Sequence, residues 1–179
     1  MPSPQTLSEA DRRLVAGWAA DCADHVLAIF EADAPDDGRP REAIERTRAF
    51  ARGELDAAGE IRRRFVAGRA AQSVSSPAAV AAARAAAQAS GVAHMGAHAL
   101  GAAAYAAKAA GLAAVDRPSA ADDEISWQLR HLTVEVRAAL VQLPLLGEDT
   151  AGPLGSGLLA TGVLGDHIRT IQAALRSRP

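Results

Sequence analysis

The sequence predicts an all-α fold: a single-domain bundle of about seven helices, built around a central pair of alanine-rich helices. Alanine, the strongest helix former, supplies roughly a quarter of the chain, whereas strand-favouring residues are scarce. Apolar residues also recur at helical spacing in most segments. With 179 residues, 49% of them hydrophobic, the chain is long enough to bury one sizeable core.

Three helices are predicted in the first part of the chain. The first covers about residues 8–32, with Ser8 at its N-terminal cap. Turn-forming residues then precede a second helix over about 40–53, in which Pro40 suits the first helical position. The third helix covers about 54–73, and its two glycines weaken it.

An alanine-rich segment follows, from Ser76 and Pro77 to about Ala114. Serine is a favoured cap and proline a favoured first residue, so the start of this helix is well defined. An unbroken helix of that length would measure about 55 Å, whereas a compact domain of this size is only about 40 Å across. We therefore expect a break or kink near Ser90 and Gly91, which produces the central pair.

Two shorter helices and a tail complete the predicted fold. Ser119 caps the first of these helices, and Thr133 caps the second, which continues through Leu143. Glycine-rich residues 144–162 are expected to form a loop or tether. A final helix covers about residues 163–176.

These elements divide the chain into two parts. Residues 1–143 form the helical domain, and residues 144–179 add a loop and a C-terminal helix that we expect to dock on the same domain. The tail carries too many leucine, isoleucine and valine residues for a solvated segment. Alternatively, we expect the tail to dock on a partner, such as a second copy of the chain in a homodimer.

Charge and cysteine content narrow the possible functions. A formal net charge of −2 gives no electrostatic reason to bind nucleic acid or an anionic membrane. No stretch reaches the roughly 18 uninterrupted apolar residues of a membrane-spanning helix. Cys22 is the only cysteine, so an intrachain disulfide is impossible, and the first residues lack the apolar core of a signal peptide. We expect a cytoplasmic protein.

The clearest candidate site is the polar cluster in residues 93–108. If the segment is one helix, His94, His98, Tyr105 and Lys108 lie within an arc of about 80°. Histidines at i and i+4 can chelate a metal, but the glutamate of the HExxH signature is absent and no third ligand is near in sequence. We expect no metal and no other cofactor. The face is either a tightly packed helix seam or a binding surface.

A second group of candidates lies on the first helix. His25 follows Trp18 and Asp21 at helical spacing, so the three share one region of the helix surface. An aspartate and a histidine one turn apart can transfer a proton, although the same pair can simply orient a buried histidine. Cys22 lies beside them, but a lone cysteine is more often a small core residue than a nucleophile. No nucleophile elbow, phosphate-binding loop or complete catalytic set accompanies them, so we name no catalytic residue and expect a protein that is not an enzyme.

With these residues in place, the chain resembles a bacterial family of immunity proteins. The family is an alanine-rich helical domain assigned to the fifth immunity-protein type of polymorphic toxin systems. The resemblance spans about residues 14–143, and the order and spacing of its pieces make it fairly specific. The matching pieces are residues 18–31, 35–54, the alanine-rich segment around Arg84, 93–108 and 127–143.

The resemblance implies a small cytoplasmic protein whose partner is a cognate toxin, which it binds and neutralises without turnover. Two further binding candidates come from matched positions, Arg39 and Arg41, which the resemblance places beside the first helix. There they would pair with Asp21 or Glu54 and join the first two helices. The alternative function is a helical-bundle domain that binds a small molecule or acts as an enzyme in resistance or secondary metabolism, using the histidine, tyrosine and lysine face.

Overall fold

The computed structural model describes residues 3–63 and 65–177, and in this part of the chain the secondary structure is entirely helical. The all-α prediction is confirmed, but the number of helices is higher than seven because two of the predicted helices are divided. The helices are α1 (Glu9–His25), α2 (Leu27–Asp33), α3 (Arg39–Ala51), α4 (Ala57–Arg63), α5 (Val66–Ala70), α6 (Pro77–Gly91), α7 (His98–Ala113), α8 (Ala120–Arg130), α9 (Val134–Val141), a 3-10 helix (Leu158–Ala160) and α10 (Gly162–Arg176).

The first and third predicted helices are the two that divide. The first breaks at Val26, whose φ of −113° and ψ of 3° are not helical. The third begins later than predicted because Gly53 has a φ of +80° and ends the preceding helix in a turn. Asp56 then accepts a hydrogen bond from the backbone N–H of Gly59, 2.6 Å away, and so caps α4.

The predicted break in the alanine-rich segment is confirmed, because α6 ends at Gly91 and α7 begins at His98. The segment before α1 supplies hydrogen-bond partners at this break. The carbonyls of Gln5 and Thr6 accept from the N–H groups of Ala97 and Gly96, both at 3.0 Å. The start of α7 is therefore capped by backbone far away in sequence.

Helices α6 and α7 pack against each other and are covered by α1, α3, α8 and α10. Alanine lines both of them, and α7 is buried from Ala99 through Ala107 without interruption. A side chain this small lets two helix backbones approach closely, so the pair needs few large residues to fill its interface. Larger residues such as Phe30, Phe50 and Leu100 fill the space around it.

The C-terminal tail packs on the helices that precede it. Leu164, Ile168 and Ile171 of α10 are buried, and α10 contacts α7, α8 and α9. The buried amide of Gln172 accepts from the N–H of Leu146 at 3.0 Å and donates to the carbonyl of Pro144 at 2.9 Å. Most of the apolar face of α10 is thus covered within the same chain.

Candidate functional site

An open groove lies between α5, α6, α7 and the loop that leads to the 3-10 helix. It consists of two adjoining hollows of about 460 and 360 Å³, which share Gln88, His98, Tyr105 and Leu158 in their walls. Both volumes fall in the range of ligand-binding clefts. We refer to it as the His98 groove; its other lining residues include Phe65, Gly68, Arg84, His94, Met95, Pro153 and Leu159.

The position of His98 in the groove is set by α6. Its Nδ1 lies 2.8 Å from Oε1 of Gln88, and because an amide oxygen only accepts, Nδ1 carries the proton and donates. Glycines make room for this pair. A Cβ at Gly91 would lie 2.9 Å from Cγ of His98, and a Cβ at Gly101 would overlap the Gln88 amide. The small residues at the α6–α7 contact therefore fix the imidazole orientation.

Two further polar groups in the groove make no hydrogen bond or ion pair with any residue that the structure describes. The side chain of Arg84 is exposed and, in the part of the chain that the structure describes, forms no ion pair. Tyr105 is only 7% exposed, and its hydroxyl makes no hydrogen bond to any described residue. Burial raises the pKa of Tyr105, while the nearby Arg84 charge acts in the opposite direction. The phenol is therefore a protonated donor at neutral pH.

The loop wall of the groove is held by Gln5, which is 1% exposed. Its Nε2 donates to a carboxylate oxygen of Asp149 at 2.8 Å and to the carbonyl of Ala151 at 2.7 Å, while its Oε1 accepts from the N–H of Leu154 at 2.9 Å. Gly152 has a φ of +77°, which suits glycine, and its α-carbon faces the same amide. One buried glutamine thus anchors the loop before the 3-10 helix.

Large apolar side chains stand at the rim of the groove. Phe65 is 62% exposed and Leu158 is 70% exposed. Phe65 precedes α6 and α7 in the chain and Leu158 follows them, but both line the same hollow. Exposed residues of this size beside a concave polar surface are typical of interaction sites. The groove therefore combines an apolar rim with hydrogen-bond donors inside it.

The structure brings together three of the four residues predicted on the 93–108 face. His94, His98 and Tyr105 all line the groove, although His94 lies in the turn before α7 and is exposed. Lys108 does not join them: it lines a separate hollow of about 150 Å³ with Val163 and His167. Angles counted from His94 do not apply because the chain breaks after Gly91. Lys108 is on α7 with His98, but it lies ten residues later, about 15 Å farther along the helix, and so beyond the groove.

Sequence analysis did not identify the α6 side of the groove. Arg84 and Gln88 stand four residues apart in a helix that otherwise consists almost entirely of alanine. Residues at that spacing share a helix face, so this pair was a usable signal for a polar surface. Phe65 and Leu158 carried no comparable signal, because their proximity depends on tertiary packing.

A second cluster joins α1 to α8. Nδ1 of His25 lies 2.6 Å from Oε2 of the buried Glu124, and the His25 ring stacks on Trp127 with centroids 3.7 Å apart. The other Glu124 oxygen accepts from Nε2 of Gln128 at 3.0 Å. Trp18 donates its indole N–H to the Gln128 carbonyl at 3.0 Å. Trp18 and His25 are therefore engaged in joining two helices.

The proton-transfer pair considered for Asp21 and His25 is not formed. Asp21 accepts instead from Arg48 at 2.8 Å, and Arg48 also reaches Asp24 at 3.0 Å. His25 takes Glu124 as its acid, because α8 packs against this face of α1. A hollow of about 180 Å³ beside these residues is lined by Asp21, Asp24, His25, Arg48, Trp127 and His131.

The predicted pairing of Arg39 and Arg41 with Asp21 or Glu54 is wrong. Arg39 lies against Asp37, two residues earlier, with Nε 2.8 Å from Oδ1, and this contact lowers the pKa of Asp37 to about 2. Arg41 forms a two-point contact with Glu31 at 2.7 and 2.8 Å. Both arginines are at the start of α3, beside the turn after α2. The link to α1 is made two turns later.

Nucleophilic catalysis by the Cys22 thiol and metal binding find little support among the described side chains. Cys22 is buried, and burial, reinforced by the neighbouring carboxylates of Glu124 and Asp21, raises the pKa of its thiol, so it is a poor nucleophile. Within residues 3–63 and 65–177, no group of three or more histidine, cysteine, aspartate or glutamate side chains could hold a metal ion. No described helix is long and apolar enough to cross a membrane.

Comparison with known proteins identifies the family. The sequence model of one family, described as Imm-5 like putative immunity protein, matches residues 5–135. No curated protein and no solved structure matches the chain. The matched segment extends from the N-terminal segment to the start of α9, and it includes α1, α6, α7 and α8. Since this is well over half of its length, the chain belongs to the family of Imm-5 like immunity proteins.

Proposed function

We propose that this protein is a non-enzymatic immunity protein of the cytoplasm that binds and neutralises a cognate bacterial toxin, and that the toxin docks at the His98 groove. The observation that carries the choice of surface is the position of Phe65 and Leu158 at the rim of a groove containing Arg84 and Tyr105. Aromatic residues and arginine supply much of the binding energy of protein interfaces.

Five of the candidate residues outside the groove have internal partners: Trp18, Asp21, His25, Arg39 and Arg41. Arg39 and Arg41 are bound to Asp37 and Glu31, and exposed ion pairs of this kind contribute little energy. Trp18 and His25 serve the contact between α1 and α8. A direct role in binding for these five residues, and for Lys108, stays a prediction.

Co-expression with the toxin encoded beside this gene tests the proposal. The wild-type chain should bind the purified toxin and restore growth. A variant with Phe65→Ala and Leu158→Ala should bind at least about tenfold more weakly, because two exposed interface side chains are lost. Both residues are exposed, so the melting temperature should change little.

The control variant is Val134→Ala, which removes an equally exposed apolar side chain that does not line the groove. It should bind and protect like the wild type. Absence of binding and of protection by the wild-type chain would refute the immunity function. Equal weakening by Val134→Ala would refute the choice of surface.

A second candidate function is the binding of a small molecule in the same groove. It is favoured by the size of the larger hollow, about 460 Å³, and by the polar side chains of His94, His98 and Tyr105 that line it. His98→Ala separates the two roles of the histidine. Loss of ligand binding, in a calorimetric screen against aromatic carboxylates, at an unchanged melting temperature would support this function. Destabilisation without a change in binding would indicate a packing role.

Self-association through the tail is a further proposal, supported by two exposed apolar residues, Leu158 and Val163. Their exposure is 70% and 45%, while the rest of the apolar face of α10 is covered by α7, α8 and α9. Native mass measurement of the full chain and of a Val163→Glu variant tests it. A dimer that the substitution dissociates would support the proposal, and a monomeric wild type would refute it.

A further inference from the structure

We infer that the part of the partner that enters the His98 groove is an acidic protein segment, with a carboxylate beside a large apolar side chain. The inference rests on the proposed function, because it specifies what the groove binds. It follows from the charges inside the groove, the uncommitted donors and the apolar rim.

The charge of the groove has one sign. Arg84 on α6, His94 in the turn before α7 and His98 on α7 are basic, and the loop wall formed by residues 152–159 contains no charged side chain. Among the described residues that line the two hollows, none is acidic. The permanent charge of Arg84 therefore lies in a groove whose described lining carries no negative charge, which favours an anionic occupant.

Arg84 is the central donor for such an occupant. Arg52 and Arg63, which are also exposed, contact Glu54 and Glu42 at 2.6 and 2.8 Å. Arg84 makes no corresponding contact within the described residues. Its planar guanidinium can donate two parallel hydrogen bonds to a carboxylate. The Tyr105 hydroxyl, which makes no hydrogen bond to a described residue either, is a neutral donor lining the same hollow.

The apolar rim indicates a protein segment instead of a nucleic acid. Phe65 and Leu158 border the hollow that contains Arg84, and its floor is made of small residues, including Gly68, Ala87 and Gly91. A leucine or phenylalanine next to an aspartate or glutamate would fill this space while the carboxylate meets Arg84. Nucleic-acid sites instead need several permanent cations along the phosphate backbone, whereas the described residues that line the groove include one arginine.

Two residue types that occur once make the test specific. Tyr105 is the only tyrosine and Lys108 the only lysine, so isotope labelling of each type gives one signal inside the groove and one outside it. The full chain is titrated with a synthetic peptide of alternating glutamate and leucine, with a lysine and leucine counterpart, and with a short thymidine oligonucleotide. The acidic peptide should shift the Tyr105 signal and leave Lys108 unchanged.

Arg84→Glu is the decisive variant, and Arg130→Glu is its control, because Arg130 is exposed, lies outside the groove and changes the net charge equally. Arg84→Glu should weaken the acidic peptide and the toxin at least about tenfold, and the control less than about twofold. The loss of affinity caused by Arg84→Glu should become smaller as salt is added, because salt screens the interaction between charges.

Three results would overturn the inference: an equal Tyr105 shift with the basic peptide, a larger shift with the oligonucleotide, or no effect of Arg84→Glu. If the toxin binds and protects but Arg84→Glu has no effect, only the acidic segment is refuted and the proposed function stands. If the wild-type chain neither binds nor protects, the proposed function fails. The inference then fails with it, whatever the peptides do.

Discussion

Nδ1 of His25 lies 2.6 Å from Oε2 of Glu124, and this contact joins α1 to α8. Glu124 is 5% exposed, and its second oxygen accepts from Gln128. We predict that Glu124→Ala lowers the free energy of unfolding by about 1–2 kcal/mol, because it removes the hydrogen bonds to the buried Gln128 amide and to the His25 ring, at about 1 kcal/mol for each bond. Urea unfolding measures this. Asp123→Ala removes the exposed neighbouring carboxylate and should cost less than about 0.5 kcal/mol; equal losses would show that the buried contact adds nothing.

Gln5 and Leu154 are 149 positions apart but share a hydrogen bond of 2.9 Å. Gln5→Ala removes this bond and the two bonds to Asp149 and Ala151, so we predict a loss of about 2–3 kcal/mol, at about 1 kcal/mol for each bond. Hydrogen exchange at the Leu154 amide should become faster. The exposed Gln142, whose bonds are 3.5 Å long, supplies the control in Gln142→Ala. Unchanged protection of Leu154 in Gln5→Ala would contradict the anchoring role.

Gly101 tests how the His98 side chain is positioned. An added Cβ would overlap the Gln88 amide and lie 3.1 Å from Leu159, so Gly101→Ala should displace Gln88 from His98. Alanine gains up to about 1 kcal/mol in helix propensity, which offsets part of the steric cost. We therefore predict a small net change in stability but at least tenfold weaker toxin binding, measured by calorimetry, a loss of about 1.4 kcal/mol.

The control for that variant is Gly17→Ala, where the added Cβ would make only an ordinary contact, 3.8 Å from Ala51. It should stabilise α1 by up to about 1 kcal/mol and leave toxin binding unchanged. If Gly101→Ala binds as tightly as the wild type, the Gln88–His98 pair has no role in recognition.

Local signals predicted most of the fold, and they failed where distant segments meet. Ser8, Ser76 and Thr133 cap their helices as predicted, because each cap is a hydrogen bond to a residue three positions later. The partners of His25 and Arg48 could not be predicted in this way. They depend on which faces of α1, α3 and α8 meet, and that register is set by the whole core.

The same limit applies to the candidate site. Its α7 members were identified by helical spacing, but Phe65 and Leu158 reach the groove only through the packing of α5 and the tail. Lys108 is on the same helix as His98, but it lies ten residues later and lines a different hollow beside α10. Helical spacing therefore predicted the α7 side of the groove, whereas the side that carries Phe65 and Leu158 depends on tertiary contacts.

His167 gives a pH-dependent prediction. It is 8% exposed, its Nε2 is buried without a partner among the described residues, and burial lowers its pKa from the ordinary value of 6.5. The nearby carboxylates of Asp122 and Asp166 act in the opposite direction, whereas Lys108 reinforces the decrease. Above pH 6.5 the imidazole is neutral in both states. Below it, the unfolded chain binds the proton first, so the folded state loses stability as the pH falls toward the lower folded pKa.

Replacing the imidazole should remove that part of the pH dependence. Urea unfolding at pH 8 and pH 5.5 should show a smaller difference in stability for His167→Leu than for the wild type, because leucine cannot take up a proton. The control is His94→Ala, an exposed histidine whose loss should leave the wild-type slope nearly unchanged. A wild-type slope in His167→Leu would mean that the proton uptake that opposes folding occurs elsewhere. A smaller difference in His167→Leu would show that the proton uptake that opposes folding occurs at His167, which lies on α10 beside Lys108.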